Sequence, residues 1–165
     1  MFAPNEDTLT KVSTDAAMEF VQAFYTSLQS NRGSISTFYS PATSTILFNG
    51  NVVAGGAAVQ DIFVSQMPPT HYEVQSLDCQ VINQKYPTAT ATGVKRAAEK
   101  SAKDISILVT VSGYAKFGVP KNVPQRVFSE TFVLVPAPTN SLGGVAKGKG
   151  GKGWLIQSQN FRLVV

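Results

Sequence analysis

The sequence predicts an α+β fold in which three helices pack on one face of a strongly bent, mainly antiparallel β-sheet. Two observations predict it. Up to about residue 68, apolar residues recur at helical spacing, interrupted by one short hairpin. Beyond residue 70 they alternate with polar residues over four long segments rich in β-branched and aromatic side chains. Helices followed by a run of strands are typical of an α+β domain.

The three helices are bounded by polar residues, glycine and proline. The first is expected to begin at Ser13–Asp15, where a hydroxyl can cap free backbone N–H groups and a carboxylate faces the positive end of the helix dipole. It is expected to end at Asn31–Gly33, and a short second helix to follow over 34–39. The third is expected to open at the glycine pair 55–56 and to close at the proline pair 68–69.

The strands are predicted from alternation and turn residues. TILF-NG-NVV over 45–53 predicts a hairpin, because Asn-Gly tolerates positive φ at both turn positions. Four long strands are predicted after it, at Tyr72–Ile82, Ile105–Phe117, Arg126–Val135 and Trp154–Val164.

Length and composition indicate one soluble domain over residues 1–165, with a globular balance of 43% hydrophobic and 15% charged residues. We expect an N-terminal extension over 1–12 and two inserted polar loops over 83–103 and 137–152. The acidic N-terminus does not resemble a signal peptide, and no apolar run approaches the length of a membrane span. A single cysteine excludes an internal disulfide.

Charge is distributed unevenly along the chain. Residues 1–84 hold two basic and seven acidic residues, whereas residues 85–165 hold twelve basic and three acidic ones. Mobile lysines on glycine-rich chain suit phosphate contacts without sequence readout, although a merely solvated loop has the same composition. The candidate RNA-contacting residues are Lys95, Arg96, Lys100, Lys103, Lys147, Lys149 and Lys152.

The enzyme hypothesis depends on HYEVQSLDC, which holds the only histidine, His71, and the only cysteine, Cys79. In a regular strand these two share one face and Asp78 points to the other, so the thiol and the carboxylate are separated. We therefore expect no catalytic residues. Neither a metal-ligand cluster nor a phosphate-binding glycine motif is present, and no cofactor is expected.

Alternation in the last strand predicts an outward face of unusual character. If Phe161 and Leu163 face the core, the opposite face is nearly uncharged, which is typical of a buried protein interface. Its candidate members are Ser112, Tyr114, Ser158, Asn160 and Arg162. Arg162 then requires a carboxylate partner. Either Glu130 or a second subunit could supply it.

Several stretches carry a resemblance to a known family. In order and spacing they are FNGNVVAGG (48–56), MP (67–68), LDCQVI (77–82), VSGYAKFG (111–118), RVFSETFVL (126–134) and NFRL (160–163). Together with the order of elements they resemble the nuclear transport factor 2-like fold, and within it the small subunits of heterodimeric mRNA export receptors. The resemblance covers residues 14–164, apart from the inserted loops.

The resemblance implies a non-enzymatic subunit with a cone-shaped fold. It would pair through its sheet with the nuclear transport factor 2-like domain of the large mRNA export factor, with Arg162 reaching an acidic residue of that partner. It also implies movement between nucleus, nuclear pore and cytoplasm, and contact with FG-repeat nucleoporins through the heterodimer.

Two alternatives stay open from the sequence. One is a homodimeric carrier of a small GTPase, but that family uses acidic residues in a turn that here is basic, at Lys116–Gln125. The other is a small-molecule isomerase or dehydratase with Asp78 as general base in the cone.

Overall fold

The computed structural model describes residues 5–42, 45–82, 105–119, 122–138 and 153–165. Its helical elements are α1 (Glu6–Ser30), a 3-10 helix (Arg32–Phe38) and α2 (Gly56–Asp61), which continues as a π-helical segment (Ile62–Gln66). Its strands are β1 (Thr45–Phe48), β2 (Asn51–Val53), β3 (Thr70–Val81), β4 (Ile107–Phe117), β5 (Arg126–Pro136) and β6 (Trp154–Leu163). The described strands form one sheet in the order β2-β1-β6-β5-β4-β3, antiparallel except for β1 beside β6. The α+β prediction is confirmed.

The first helix begins earlier than predicted. Asn5 is its N-cap, and the side-chain Oδ1 of Asn5 accepts a hydrogen bond from the Thr8 backbone N–H at 2.8 Å. Ser13 is buried inside the helix rather than capping it, and its hydroxyl donates to the Thr10 carbonyl. The expected N-terminal extension over 1–12 was therefore wrong for residues 6–12. Leu9 and Val12 continue the apolar stripe onto the core, which stabilises the additional turns.

The hairpin prediction is confirmed, and the third helix is divided. Asn49 and Gly50 have φ values of 49° and 81°, as an Asn-Gly turn requires. After α2 the backbone widens into the π-helical segment Ile62–Gln66. The Arg32 guanidinium holds the end of that segment by donating to the carbonyls of Phe63, Met67 and Pro68 at 2.7, 2.9 and 2.6 Å.

The core lies between the helices and the inner face of the sheet. Four phenylalanines from α1, the 3-10 helix and β5 meet there, with the ring centroids of contacting pairs 5.2–6.0 Å apart: Phe20, Phe24, Phe38 and Phe132. Edge-to-face packing of buried rings adds to the stabilisation by area burial alone. The helices cover this face only.

A β-bulge in β3 changes which residues face the core. Val74 pairs with Gly113 and Ser76 with Ser112, which leaves one additional residue between them. Beyond the bulge Asp78 is exposed, and His71 before it is exposed too, whereas Cys79 faces inward and is half-buried. The expectation that His71 and Cys79 share a face was wrong, because the additional residue reverses the alternation. The separation of the thiol from the carboxylate is confirmed.

The two predicted inserted loops fall almost wholly outside the described residues. Of the range 83–103 nothing is described, and of 137–152 only the first two residues are. The Ala137 backbone N–H donates to the Gly153 carbonyl at 2.9 Å, so the chain leaves β5 and enters β6 at adjacent points.

No helix among the described residues is both long and apolar enough to cross a lipid bilayer.

Candidate partner interface and interior cavity

The side of the sheet opposite the helices is a continuous surface, which we call the outer face. Strand register aligns its residues in rows. Ser112 lies opposite Ser129, which lies opposite Arg162, while Thr131 lies opposite Asn160. The outer face comprises Thr45, Leu47, Val52, His71, Glu73, Ser76, Asp78, Gln80, Leu108, Thr110, Ser112, Tyr114, Lys116, Val127, Ser129, Thr131, Val133, Ser158, Asn160 and Arg162. All five residues predicted for the interface lie on it.

The outer face combines exposed apolar side chains with hydroxyl groups. Leu108, Tyr114 and Val127 are 36%, 38% and 43% exposed, unusually accessible for large apolar residues in central strands. The hydroxyls of Ser76 and Ser112 are hydrogen-bonded to each other across β3 and β4. On β4, β5 and β6 the face carries two charges, Lys116 at the end of β4 and Arg162 on β6. The rows that contain Leu108 and Thr110 are uncharged on all three strands, and depletion of charge is typical of the core of a protein interface.

Arg162 has no carboxylate partner among the described residues. The alternative that Glu130 pairs with Arg162 within the chain was wrong. Glu130 pairs in register with Phe161, points inward and is only 2% exposed. The acids of the outer face, Glu73 and Asp78, lie on β3, three strand spacings or roughly 14 Å from β6. The one ion pair between described residues, Lys11 with Asp15, is on α1.

A cavity of about 450 Å³ opens between the inner face of the sheet and the end of the π-helical segment. Its walls are mainly aromatic and include Phe24, Phe48, Phe63, Tyr72, Phe117 and Phe161. Asp78 does not line it. The isomerase or dehydratase hypothesis with Asp78 as base was wrong, because the bulge keeps that carboxylate on the outer face. No cluster of described residues could hold a metal ion.

A different carboxyl group, Glu130, lies at the base of this cavity. The Tyr25 hydroxyl donates to its Oε1 at 2.6 Å and the Gln159 amide to its Oε2 at 2.7 Å, while the Tyr39 hydroxyl donates to the Gln159 carbonyl oxygen. Burial raises the pKa of Glu130 from its ordinary 4.5 to about 7, although both hydrogen bonds favour the ionised form.

The inward orientation of Glu130 could have been found from the sequence. In RVFSETFVL it alternates with Phe128, Phe132 and Leu134, all of which are buried. Strict alternation therefore places Glu130 on the core face.

The raised pKa of Glu130 predicts a pH-dependent stability. Below about pH 4.5 the carboxyl is neutral in both the folded and unfolded states. As pH rises towards 7, the Glu130 carboxyl ionises in the unfolded chain while it stays protonated in the folded one. The free energy of unfolding therefore falls, by on the order of 3 kcal/mol in total. Urea unfolding of the wild-type chain and of Glu130→Gln between pH 4.5 and 8 measures this. The variant should lack this fall in stability, and equal pH profiles would contradict the prediction.

The family model described as the nuclear transport factor 2 (NTF2) domain matches residues 16–162. A curated relative, NTF2-related export protein 1 of Bos taurus, is 27% identical over 150 residues, which cover 90% of this chain and 86% of the relative.

Two solved structures show the same fold. A chain of the complex of a Sac3N peptide bound to Mex67:Mtr2 superposes with a TM-score of 0.69 at 23% identity, covering 92% of this chain and 99% of that one. A chain of the Chaetomium thermophilum Mex67 NTF2-like domain complexed with Mtr2 gives 0.68 at 22%, covering 92% and 98%. These identities establish the architecture, and the family model covers most of the sequence. The chain belongs to the nuclear transport factor 2 domain family.

Proposed function

We propose that this chain is the small subunit of a heterodimeric mRNA export receptor. Its outer face pairs with the nuclear transport factor 2-like domain of the large export factor, and the heterodimer supports passage of mRNA through nuclear pores. The observation that carries the proposal is the outer face, which has only two charges on its central strands β4, β5 and β6 and presents one of them, Arg162, without a described carboxylate partner. The names of its relatives, export proteins and a Mex67–Mtr2 complex, support it.

The chemistry of the outer face favours a second sheet as the partner. Rows of serine and threonine hydroxyls, together with Tyr114 on β4, form a surface that a similar sheet can cover, burying well over about 1,200 Å² in total. An arginine covered in this way is stabilised only if the other side supplies an acid. Arg162 on β6 therefore favours a partner that places an acid opposite it.

The proposed subunit is non-enzymatic, shuttles between nucleus, nuclear pore and cytoplasm, and meets FG-repeat nucleoporins through the heterodimer. Asp78 and His71, the acid–base candidates of β3, are exposed outside the cavity. General acid–base catalysis requires such a group within hydrogen-bond reach of a bound substrate. Their positions support a subunit without catalytic residues.

Affinity purification of the tagged full-length chain from nuclear extract, with stoichiometric partners identified by mass spectrometry, tests the proposal. We expect one large partner that contains a nuclear transport factor 2-like domain. Recovery of the chain with itself and a small GTPase would replace the proposal with the homodimeric carrier. Recovery of no stoichiometric partner, with a monomer in sedimentation, would refute both.

The basic loops are proposed as an accessory RNA contact. Their seven candidate residues, Lys95, Arg96, Lys100, Lys103, Lys147, Lys149 and Lys152, lie outside the described residues. Replacing Lys147, Lys149 and Lys152 with glutamine should weaken binding of a single-stranded RNA, because each phosphate contact releases counterions. The slope of log affinity against log salt should fall by about 2. Lys11→Gln on α1 is the control and should leave the slope unchanged. An unchanged slope in the triple variant would mean that these lysines do not contact RNA.

A further inference from the structure

The cavity over Glu130 has no role in pairing through the outer face, because the two lie on opposite sides of the sheet. We propose that it is a binding site for a small organic cation, a ring-containing molecule that carries one protonated amine. The ring would fill the aromatic part of the cavity and the ammonium group would pair with Glu130. The proposal is independent of the proposed export function.

The size and lining of the cavity suit a small ring compound. Its volume of about 450 Å³ lies in the range of roughly 300–1,000 Å³ that is usual for small-molecule sites. Such sites are mainly apolar with a few polar groups that orient the ligand. Here Leu28, Met67 and the aromatic residues supply the apolar wall, and Glu130 and Gln159 supply polar groups at the base.

The charge of the cavity selects a cation. Glu130 is its only acidic lining residue, and its contacts with described residues come from neutral groups, the Tyr25 hydroxyl and the Gln159 amide. Tyr39 and Tyr72 lie near, and burial raises the pKa of each well above 10, so they stay neutral. An organic cation would supply the countercharge that these groups do not.

Glu130 also retains hydrogen-bonding capacity. An ionised carboxylate has about four lone-pair sites, and Tyr25 and Gln159 occupy two of them. An ammonium group has up to three N–H donors and could fill those that remain. Aromatic walls add attraction, because a cation interacts favourably with ring faces when water is excluded. An anion would instead meet a buried carboxylate without any compensating positive charge.

Arg32, a described cation beside the cavity, is not available to Glu130. Its guanidinium lies 5.8 Å from the centroid of the Phe63 ring and donates to four carbonyls and to the Thr70 hydroxyl. These bonds fix the wall around Met67 and Pro68, so the rim is formed before any ligand arrives. A preformed pocket loses less conformational entropy on binding than a flexible one.

Titration of the isotope-labelled full-length chain with benzylamine, followed by NMR of the cavity methyl groups, tests the proposal. Benzyl alcohol is the uncharged probe of matched shape. We expect benzylamine to shift the Leu28 and Met67 signals and to bind at least tenfold more tightly than benzyl alcohol. Its affinity should be about ninefold lower at pH 6 than at pH 8, since a carboxyl of pKa about 7 is about one-tenth ionised at the lower pH and nine-tenths at the higher.

Three variants separate the site from the fold. Glu130→Gln keeps the shape and should remove the preference for the amine, whereas Met67→Trp fills the cavity without touching Glu130 and should abolish binding of both probes. Asp78→Asn, which removes a carboxylate from the outer face, should bind like the wild type. Equal affinities for amine and alcohol, an unchanged preference in Glu130→Gln, or no binding of benzylamine to the wild-type chain at pH 8 would each overturn the proposal.

Discussion

Arg162→Glu is expected to raise the dissociation constant for the partner domain more than a hundredfold. The substitution replaces a positive charge on β6 of the outer face with a negative one opposite the proposed acid of the partner. Breaking a buried, hydrogen-bonded charge pair costs about 2–5 kcal/mol, and reversing the charge adds repulsion. Calorimetric titration of the purified full-length chain with the nuclear transport factor 2-like domain of the large subunit measures the loss.

Arg126→Glu is the matched control for this charge reversal. Arg126 is exposed at the start of β5 and pairs in register with the buried Ala115, so it belongs to the row opposite to that of Arg162. We expect the affinity of Arg126→Glu for the partner to stay within about threefold of the wild-type affinity, because Arg126 lies outside the proposed interface. Full binding by Arg162→Glu, or equal losses of affinity in the two variants, would show that Arg162 does not pair with an acid of the partner.

Gly113→Ala is expected to destabilise the fold by about 4 kcal/mol. A Cβ atom at this position would lie 2.0 Å from the Glu73 carbonyl oxygen and 3.0 Å from the Gln75 backbone nitrogen. Both contacts are to backbone, so no side-chain rotation relieves them. The bulge would have to move, and with it the alternation of β3. Overpacking that displaces backbone lies at the severe end of the effects of point substitutions.

Urea unfolding of Gly113→Ala beside Gly33→Ala measures this effect. Gly33 lies in the 3-10 helix, and a Cβ there meets nothing within 4 Å. Replacing Gly33 with alanine should change the free energy of unfolding by no more than about 1 kcal/mol. Alanine makes the unfolded chain less flexible, which offsets any small loss in the folded state. A Gly113→Ala chain as stable as Gly33→Ala would show that the bulge does not depend on glycine.

Local patterns predicted most of the architecture. The period of two in RVFSETFVL and the other long segments places the four strands within about two residues of their observed bounds. The Asn-Gly turn of the hairpin could also be predicted from local sequence, since its positive φ values are a property of the turn residues themselves. The outward direction of Ser158, Asn160 and Arg162 also follows from alternation within one strand.

Relations between strands could not be obtained in this way. The parallel pairing of β1 with β6 joins segments separated by more than a hundred residues. The early start of α1 depends on the packing of Leu9 and Val12 against the core. The apolar pattern of these two residues is too short to predict a helix by itself. The π-helical segment beside the cavity is stabilised by Arg32, which the sequence identified only as the end of a helix.

The sequence by itself therefore determined the elements, their order and the direction of the side chains within each regular strand, because these depend on local periodicity and turn chemistry. Only the tertiary structure decided the direction of His71, since the bulge opposite Gly113 depends on a close approach of two backbones. It also decided the chemistry of Glu130. Whether a carboxyl group pairs with an arginine or lies buried under tyrosines with a raised pKa depends on which strands and helices surround it.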